Sequence, residues 1–189
     1  MHTAALKQNT VVNGIDVDAL GGVVTAIRQD TSKALVAFNV KSAWKGQTLS
    51  ESTVESYMIG GQRVPRRFAV KIDEPLELLG TNTAPNPQEM LMAALNACMM
   101  VGYVAGASVN GIRLDSVEIE TDGQLDLRGF LGIDPDVPAG YETIRYTVRI
   151  KGDGTPEQFQ AIHETVMKTS PNYFNMSRPI KLEATLQVE

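Results

Sequence analysis

Met90-Leu91-Met92-Ala93-Ala94-Leu95-Asn96-Ala97-Cys98-Met99-Met100-Val101-Gly102-Tyr103-Val104-Ala105-Gly106-Ala107-Ser108-Val109-Asn110-Gly111-Ile112 is a run of 23 residues without one charged side chain, and it holds the only cysteine of the chain. Pro85-Asn86-Pro87-Gln88-Glu89 leads into it. That lead-in reads as a helix start: Asn86 can cap, Pro87 suits the first helical position, and Glu89 sits in the electropositive first turn. A helix opening near Asn86 carries the lone thiol about three turns in. Because it is apolar on every side, burial on every side is expected. Gly102-x-x-x-Gly106, with Ala93, Ala94 and Ala97, lets another backbone approach closely. The run is long enough to cross a bilayer. Its Ala, Gly, Asn and Ser content, Asn96 near its middle and the distance to the flanking cations Lys71 and Arg113 favour a buried core helix instead.

A chain of 189 residues has room for one domain, or one and a small appendage. Its net charge of -5 and lack of a basic stripe exclude nucleic acid as the main partner. One cysteine excludes an intrachain disulfide and a cysteine-based zinc cluster, so no metal site is expected. Met1-His2-Thr3-Ala4-Ala5-Leu6-Lys7 lacks the basic-then-apolar pattern of a signal peptide, and a reducing cytoplasm is the expected compartment.

Outside the central helix, Leu20, Val23, Val24 and Ile27 fall at helical spacing within Asp16 to Asp30. Strand-like stretches follow at Ala34 to Trp44, Ser52 to Ile59 and Arg67 to Ile72, with turns at Lys45-Gly46 and Gly60-Gly61. Beyond the helix, Leu114 to Leu127 reads as a strand, with Gly123 as a candidate bulge. Arg128 to Gly140 reads as a loop, and Glu142 to Lys151 as a sharply alternating strand. Thr155-Pro156-Glu157 opens a second helix that runs to Thr169 and stops at Ser170-Pro171-Asn172. Ile180 to Val188 reads as a last strand. The order α-β-β-β-α-β-β-α-β is an α+β fold of antiparallel strands with two packed helices. Residues 1–33 form a helical extension and 34–189 the main domain.

Several motifs resemble those of the osmotically inducible protein C (OsmC) and organic hydroperoxide resistance (Ohr) superfamily. They are Asp73-Glu74-Pro75, Gly80-Thr81-Asn82, the Asn-Pro-x-Glu-x-Leu-x-x-Ala-x-x-x-Cys spacing from Asn86 to Cys98, His163 to Ser170-Pro171, and Ser177-Arg178-Pro179-Ile180. The likeness runs from about Ala34 to the C-terminus and is closest to single-cysteine, OsmC-like members. It implies an intertwined homodimer, with antiparallel sheets wrapped around two central helices and Cys98 near the dimer interface.

The resemblance implies a thiol-dependent peroxidase that reduces organic hydroperoxides in oxidative stress defence. Cys98 would be the peroxidatic residue, assisted by a carboxylate and an arginine, and an external thiol would be the reductant, with no bound cofactor. A buried cysteine has its charged form disfavoured, so a cation has to reach it. The sequence departs from the peroxidase branch at three places. Gln88 stands ten residues before Cys98, where that branch has glutamate, and Glu89 lies about 100° further round the helix. Ser170 stands in place of the second, resolving cysteine. No arginine is fixed by motif; Arg63, Arg66 and Arg67 are candidates, and Lys45 occupies the early turn. Cys98, Glu89 and Arg67 are therefore the expected site residues. The competing expectation is a binder that holds a small apolar molecule at the dimer interface without turnover.

Each of these residues also has a plain structural role open to it. Cys98 can be an inert core residue. Glu89 can be a first-turn helix charge, His163 a packed or surface histidine, Ser170 a helix stop, and the Met90, Met92, Met99 and Met100 group adaptable core packing.

Overall fold

The computed structural model describes residues 10–188; the leader reading of Met1 to Lys7 and the first nine residues of the expected extension lie outside them. The chain divides into two compact units, residues 1–93 and 94–189.

In the first unit a short hairpin, β1 (Val11–Val12) and β2 (Ile15–Asp16), leads into helix α1 (Val17–Gln29). Asp16 caps α1 by accepting from the Ala19 N–H at 2.8 Å. The expected amphipathic helix is therefore present, and none of its residues is buried. A four-stranded antiparallel sheet follows. The stretch read as a single strand from Ala34 to Trp44 is two strands, β3 (Val36–Phe38) and β4 (Lys41–Gly46), separated at Asn39-Val40. Both pair with β5 (Leu49–Ile59), which pairs on its other side with β6 (Gln62–Ile72). The Gly60-Gly61 turn between β5 and β6 has positive φ at both residues, the backbone of a tight hairpin that glycine adopts without strain.

Between β6 and the central helix the chain winds around one carboxylate. Asp73 is 1 % exposed. It accepts from the Thr48 hydroxyl at 2.7 Å and from the backbone N–H and hydroxyl of both Thr81 and Thr83. These donors, the Thr81 hydroxyl foremost and Thr48 next, hold its carboxyl far below the usual carboxylate range. A Cβ at Gly80 would meet the Glu74 carbonyl oxygen at 1.7 Å, so only glycine closes this loop. The motif residues Asp73, Gly80 and Thr81 thus serve one purpose, to fold the approach to the helix.

That helix, α2 (Pro87–Val109), begins where the sequence placed it. Asn86 and Glu89 form a reciprocal cap: the Glu89 N–H donates to Asn86 Oδ1 and the Asn86 N–H to Glu89 Oε2, both at 2.8 Å. Its first turns belong to the first unit and the remainder to the second.

In the second unit α2 packs on helix α4 (Pro156–Thr169) and on the antiparallel pair β7 (Leu114–Gly123) and β8 (Ile144–Gly152). The core is Leu95, Met99, Tyr103 and Ala107 of α2 with Ile112 and, from α4, Ile162 and Val166. Gly102 and Gly106 face α4: a Cβ at Gly102 would stand 2.9 Å from Val166 Cγ2, and one at Gly106 3.1 Å from Ile162 Cγ2. Asn96, polar within the apolar run, donates to the Ile119 carbonyl at 3.2 Å and accepts from the Thr121 hydroxyl at 2.5 Å, which ties α2 to β7. Along the β7–β8 ladder the apolar members Val117↔Ile150 and Ile119↔Val148 pair. The Glu120 and Arg149 side chains, on exposed residues, form an ion pair at 2.8 Å. Gly123 ends β7 rather than bulging it; the register shift lies at Leu114/Ser116. The loop that follows contains one helical turn, α3 (Leu127–Phe130).

Three expectations are corrected. Burial of α2 on every side does not hold within the single chain: Leu91, Ala94, Ala97, Val101 and Val109 are exposed, Val101 at 68 %. The covered residues recur every fourth position because α4 and the β-pair reach only one face. By length and hydropathy alone α2 could cross a bilayer. Second, the helix stops at Ser170 as expected, but a further helix that the expected element order lacks follows it. Ser170 ends α4 and caps another helix, α5 (Pro171–Ser177), with Pro171 at its first position. Third, Ile180 to Val188 forms no strand, and its alternate residues Ile180, Leu182, Leu186 and Val188 are exposed. A strand requires a neighbour to bond its backbone, and among the described residues this segment has none. The α+β class, with antiparallel sheets throughout, stands.

Candidate functional site

Cys98 lies on α2 one turn past Ala94 and is only partly buried. The neighbouring Met99 is fully buried, so the helix points residue 99 into the core and leaves the thiol at the margin of it. A polar neighbour reaches it from 72 residues downstream. Ser170 Oγ donates a hydrogen bond to Cys98 Sγ at 3.3 Å.

Ser170 is placed by both helices it joins. Its N–H bonds the Val166 carbonyl as α4 ends. Its Oγ accepts from the Tyr173 N–H at 3.3 Å as α5 begins. The start of α5 is in turn fastened to α2 by Asn172, whose side-chain amide donates to the Ala94 carbonyl at 2.8 Å. With 6 % of its surface exposed, Ser170 meets the sulfur where water competes little.

A second polar pair lies on the same α2–α4 seam. The Tyr103 hydroxyl and His163 Nδ1 are hydrogen-bonded at 2.5 Å, and their rings stack with centroids 6.0 Å apart. Tyr103 is buried, and that burial, with Tyr146 nearby as a lesser cause, pushes its phenol up to about 12. His163 is thus the packed histidine of the two plain readings, bonded to a neutral phenol. Between the ends of β8 and α5 a groove of about 260 Å³ is lined by Leu95, Tyr146, Tyr173 and Met176. Tyr146 and Tyr173 meet edge to face there.

The other expected site residues have these places. The carboxylate of Glu89 serves in the helix cap with Asn86. Arg67 stands exposed in β6 of the first unit. Its neighbour Arg66 lies over the rings of Tyr57 and Phe68, at 5.4 and 4.9 Å from their centroids. The structure thus brings Cys98 and Ser170 together within one unit. Among the described residues no cluster of three or more His, Cys, Asp or Glu side chains is arranged to hold a metal. Sequence reasoning missed two things: that Ser170 donates to the sulfur, and that Tyr103 partners His163. The first had a signal, since Ser170 occupies the position of the family's second cysteine. The second had none, because residues 60 apart in sequence meet only through the helix crossing.

Comparison with known proteins fits this architecture. The model of the family described as OsmC-like protein matches residues 80–185, from the Gly80 loop through the C-terminal segment. A Bacillus subtilis (strain 168) protein, the uncharacterized YmaD, is 24 % identical over 155 residues, covering 80 % of this chain and 91 % of that one. The crystal structure of an OsmC-like protein from Mycoplasma pneumoniae superposes with a TM-score of 0.57 at 15 % identity, covering 74 % of this chain and 86 % of its own. An OsmC-like hydroperoxide resistance protein from Jannaschia sp. CCS1 matches at 19 % identity with a TM-score of 0.45, over 81 % of this chain and 93 % of that one. With a family match over more than half its length, reaching across the Cys98 helix and Ser170, the chain belongs to the OsmC-like protein family.

Proposed function

We propose that this protein is a one-cysteine, thiol-dependent peroxidase for organic hydroperoxides, working as a homodimer in a reducing compartment. The observation that carries the reading is the hydroxyl of Ser170 directed at a partly buried Cys98 sulfur. A donor to sulfur favours the thiolate, and the thiolate is the form that attacks a peroxide.

The reaction follows from that arrangement. The Cys98 thiolate attacks one oxygen of the O–O bond. An S–O bond forms, the O–O bond breaks, and the other oxygen leaves with the alkyl group as an alkoxide that takes up a proton to become the alcohol. Cys98 becomes a sulfenic acid. With no second thiol in the chain, an external thiol condenses with it, releasing water and leaving a mixed disulfide. A second external thiol then displaces Cys98 and leaves as part of a small disulfide. Apolar surroundings, with Leu95 and Met99 flanking on α2, favour alkyl or aryl hydroperoxides over hydrogen peroxide.

Two features support the homodimer. The outer face of α2 exposes Leu91, Ala94, Ala97 and Val101, an apolar stripe that a second copy would cover. The segment Ile180 to Val188 carries strand alternation without a neighbour, and Leu182 is 88 % exposed. A carboxylate and a cation at the sulfur, with Glu89 and Arg67 as the candidates, belong to the same proposal.

The test is consumption of cumene hydroperoxide with excess dithiothreitol by wild type and Cys98→Ser. Turnover by wild type, faster than with hydrogen peroxide and absent in the variant, is the expected result. Equal rates for the two proteins would remove the enzyme and leave a non-catalytic binder of a small apolar molecule.

A further inference from the structure

Ser170 is more than an inert replacement for a resolving cysteine. A serine hydroxyl has one proton and two lone pairs. The Tyr173 N–H, at the start of α5, occupies a lone pair of Ser170 Oγ. The Ser170 proton is donated to Cys98 Sγ, 3.3 Å away. The oxygen is therefore placed by a helix cap, and the cap is held against α2 by Asn172 bonding the Ala94 carbonyl. With Ser170 buried, the bond is formed before any substrate arrives.

We infer that Ser170 is a catalytic hydrogen-bond donor to the reacting sulfur, positioned by the α4–α5 junction to meet the charge that develops there in the reaction. This inference rests on the peroxidase reading for its purpose, though its physical content does not. A hydrogen bond to an anionic acceptor is stronger than one to the neutral form, so the hydroxyl gives most to the sulfur when the sulfur reacts as an anion. The residue that replaces a second thiol thereby removes the intramolecular disulfide and gives the first thiol a permanent donor in exchange. The chain then depends on an outside thiol for turnover while its own sulfur stays primed.

The experiment compares wild type, Ser170→Ala and Ser170→Thr. It reads the rate of Cys98 alkylation by iodoacetamide at neutral pH and the ultraviolet absorbance of the thiolate, with no peroxide present. Ser170→Ala is expected to slow alkylation about tenfold or more and to diminish the thiolate band, the loss set by a charge-assisted hydrogen bond. Ser170→Thr, which keeps hydroxyl and cap, is expected to restore the rate to within about twofold of wild type. Thermal melts identify any variant that has unfolded. If Ser170→Ala has no cooperative melt, Ser170→Gly, better tolerated at a cap, is read in its place. If neither variant folds, the wild-type protein is compared with its own unfolded state in denaturant. A folded protein that alkylates no faster than the unfolded chain overturns the inference. Unchanged alkylation in a folded Ser170→Ala or Ser170→Gly overturns it as well. Slowed alkylation in a protein that never consumes hydroperoxide upholds the donor role and sinks only the peroxidase.

Discussion

Replacing Ser170 by cysteine tests the geometry of the site most directly. In the native protein the two side-chain atoms are 3.3 Å apart. A sulfur reaches slightly farther from Cβ than an oxygen, so a thiol at 170 has to close about 1 Å to reach the S–S length of about 2.05 Å. Small rotations of the two side chains can supply that, because Ser170 sits at a junction between helices rather than inside one. The bridge would close a loop of 72 residues. For a loop of that size the chain-entropy argument gives at most about 4 kcal/mol, from which strain at the junction and the lost cap are subtracted. A net gain of about 1–3 kcal/mol is expected in the oxidised variant. The assay is intact-mass analysis after one equivalent of cumene hydroperoxide, followed by thermal melts with and without reductant. Ser170→Cys should lose about two mass units per chain and melt higher when oxidised, with over-oxidation slowed. Wild type should give mixed disulfides with small thiols, and sulfinic acid once reductant is exhausted. A variant that over-oxidises as wild type does, without the mass loss, would show that residue 170 is not within reach of the sulfur and would refute the site described here.

Other outcomes follow from the packing. Gly102→Ala adds a methyl 2.9 Å from Cγ2 of Val166, itself buried in the core. Crowding of about 1–3 kcal/mol outweighs a helix gain of about 1, so a net loss near 1 kcal/mol is expected in denaturant melts. In a Val166→Ala background the same change should stabilise instead, and a loss there would count against the seam. Because its donors hold the Asp73 carboxyl below its ordinary range, it contributes stability above the unfolded value and loses it as pH falls into and below the ordinary carboxylate range. Asp73→Asn should melt lower at neutral pH, and its stability should respond less to acid over that window. A variant as stable as wild type at neutral pH would contradict the buried carboxylate. Val101→Glu places a charge on the exposed apolar face of α2 and should convert the proposed dimer to monomer in light scattering. An unchanged mass would show that this face is not the interface.

How much of this was legible beforehand varies with distance along the chain. The start of α2 could be read because its cap is local: Asn86, Pro87 and Glu89 act over three residues, and the same holds for Thr155 and Pro156 before α4, where the structure adds Gln158 to the cap. The alternation of Ile144, Tyr146, Val148 and Ile150 against Arg145, Thr147 and Arg149 was visible for the same reason, since side-chain period follows from backbone geometry. The Cys98 spacing was enough to indicate the family. Which face of an evenly apolar helix is covered was not legible, because hydrophobicity without periodicity carries no direction; the approach of Val166 and Ile162 to Gly102 and Gly106 settled it. Ile180 to Val188 had the pattern of a strand and lacked the neighbour, since pattern is a property of a segment and pairing is a property of two. That position 170 belongs with Cys98 was legible from the family's second cysteine, whereas the hydrogen bond to the sulfur was decided by tertiary structure. Ser170 lies 72 positions beyond Cys98, and only the packing of α4 and α5 against α2 brings its hydroxyl to within 3.3 Å of the thiol.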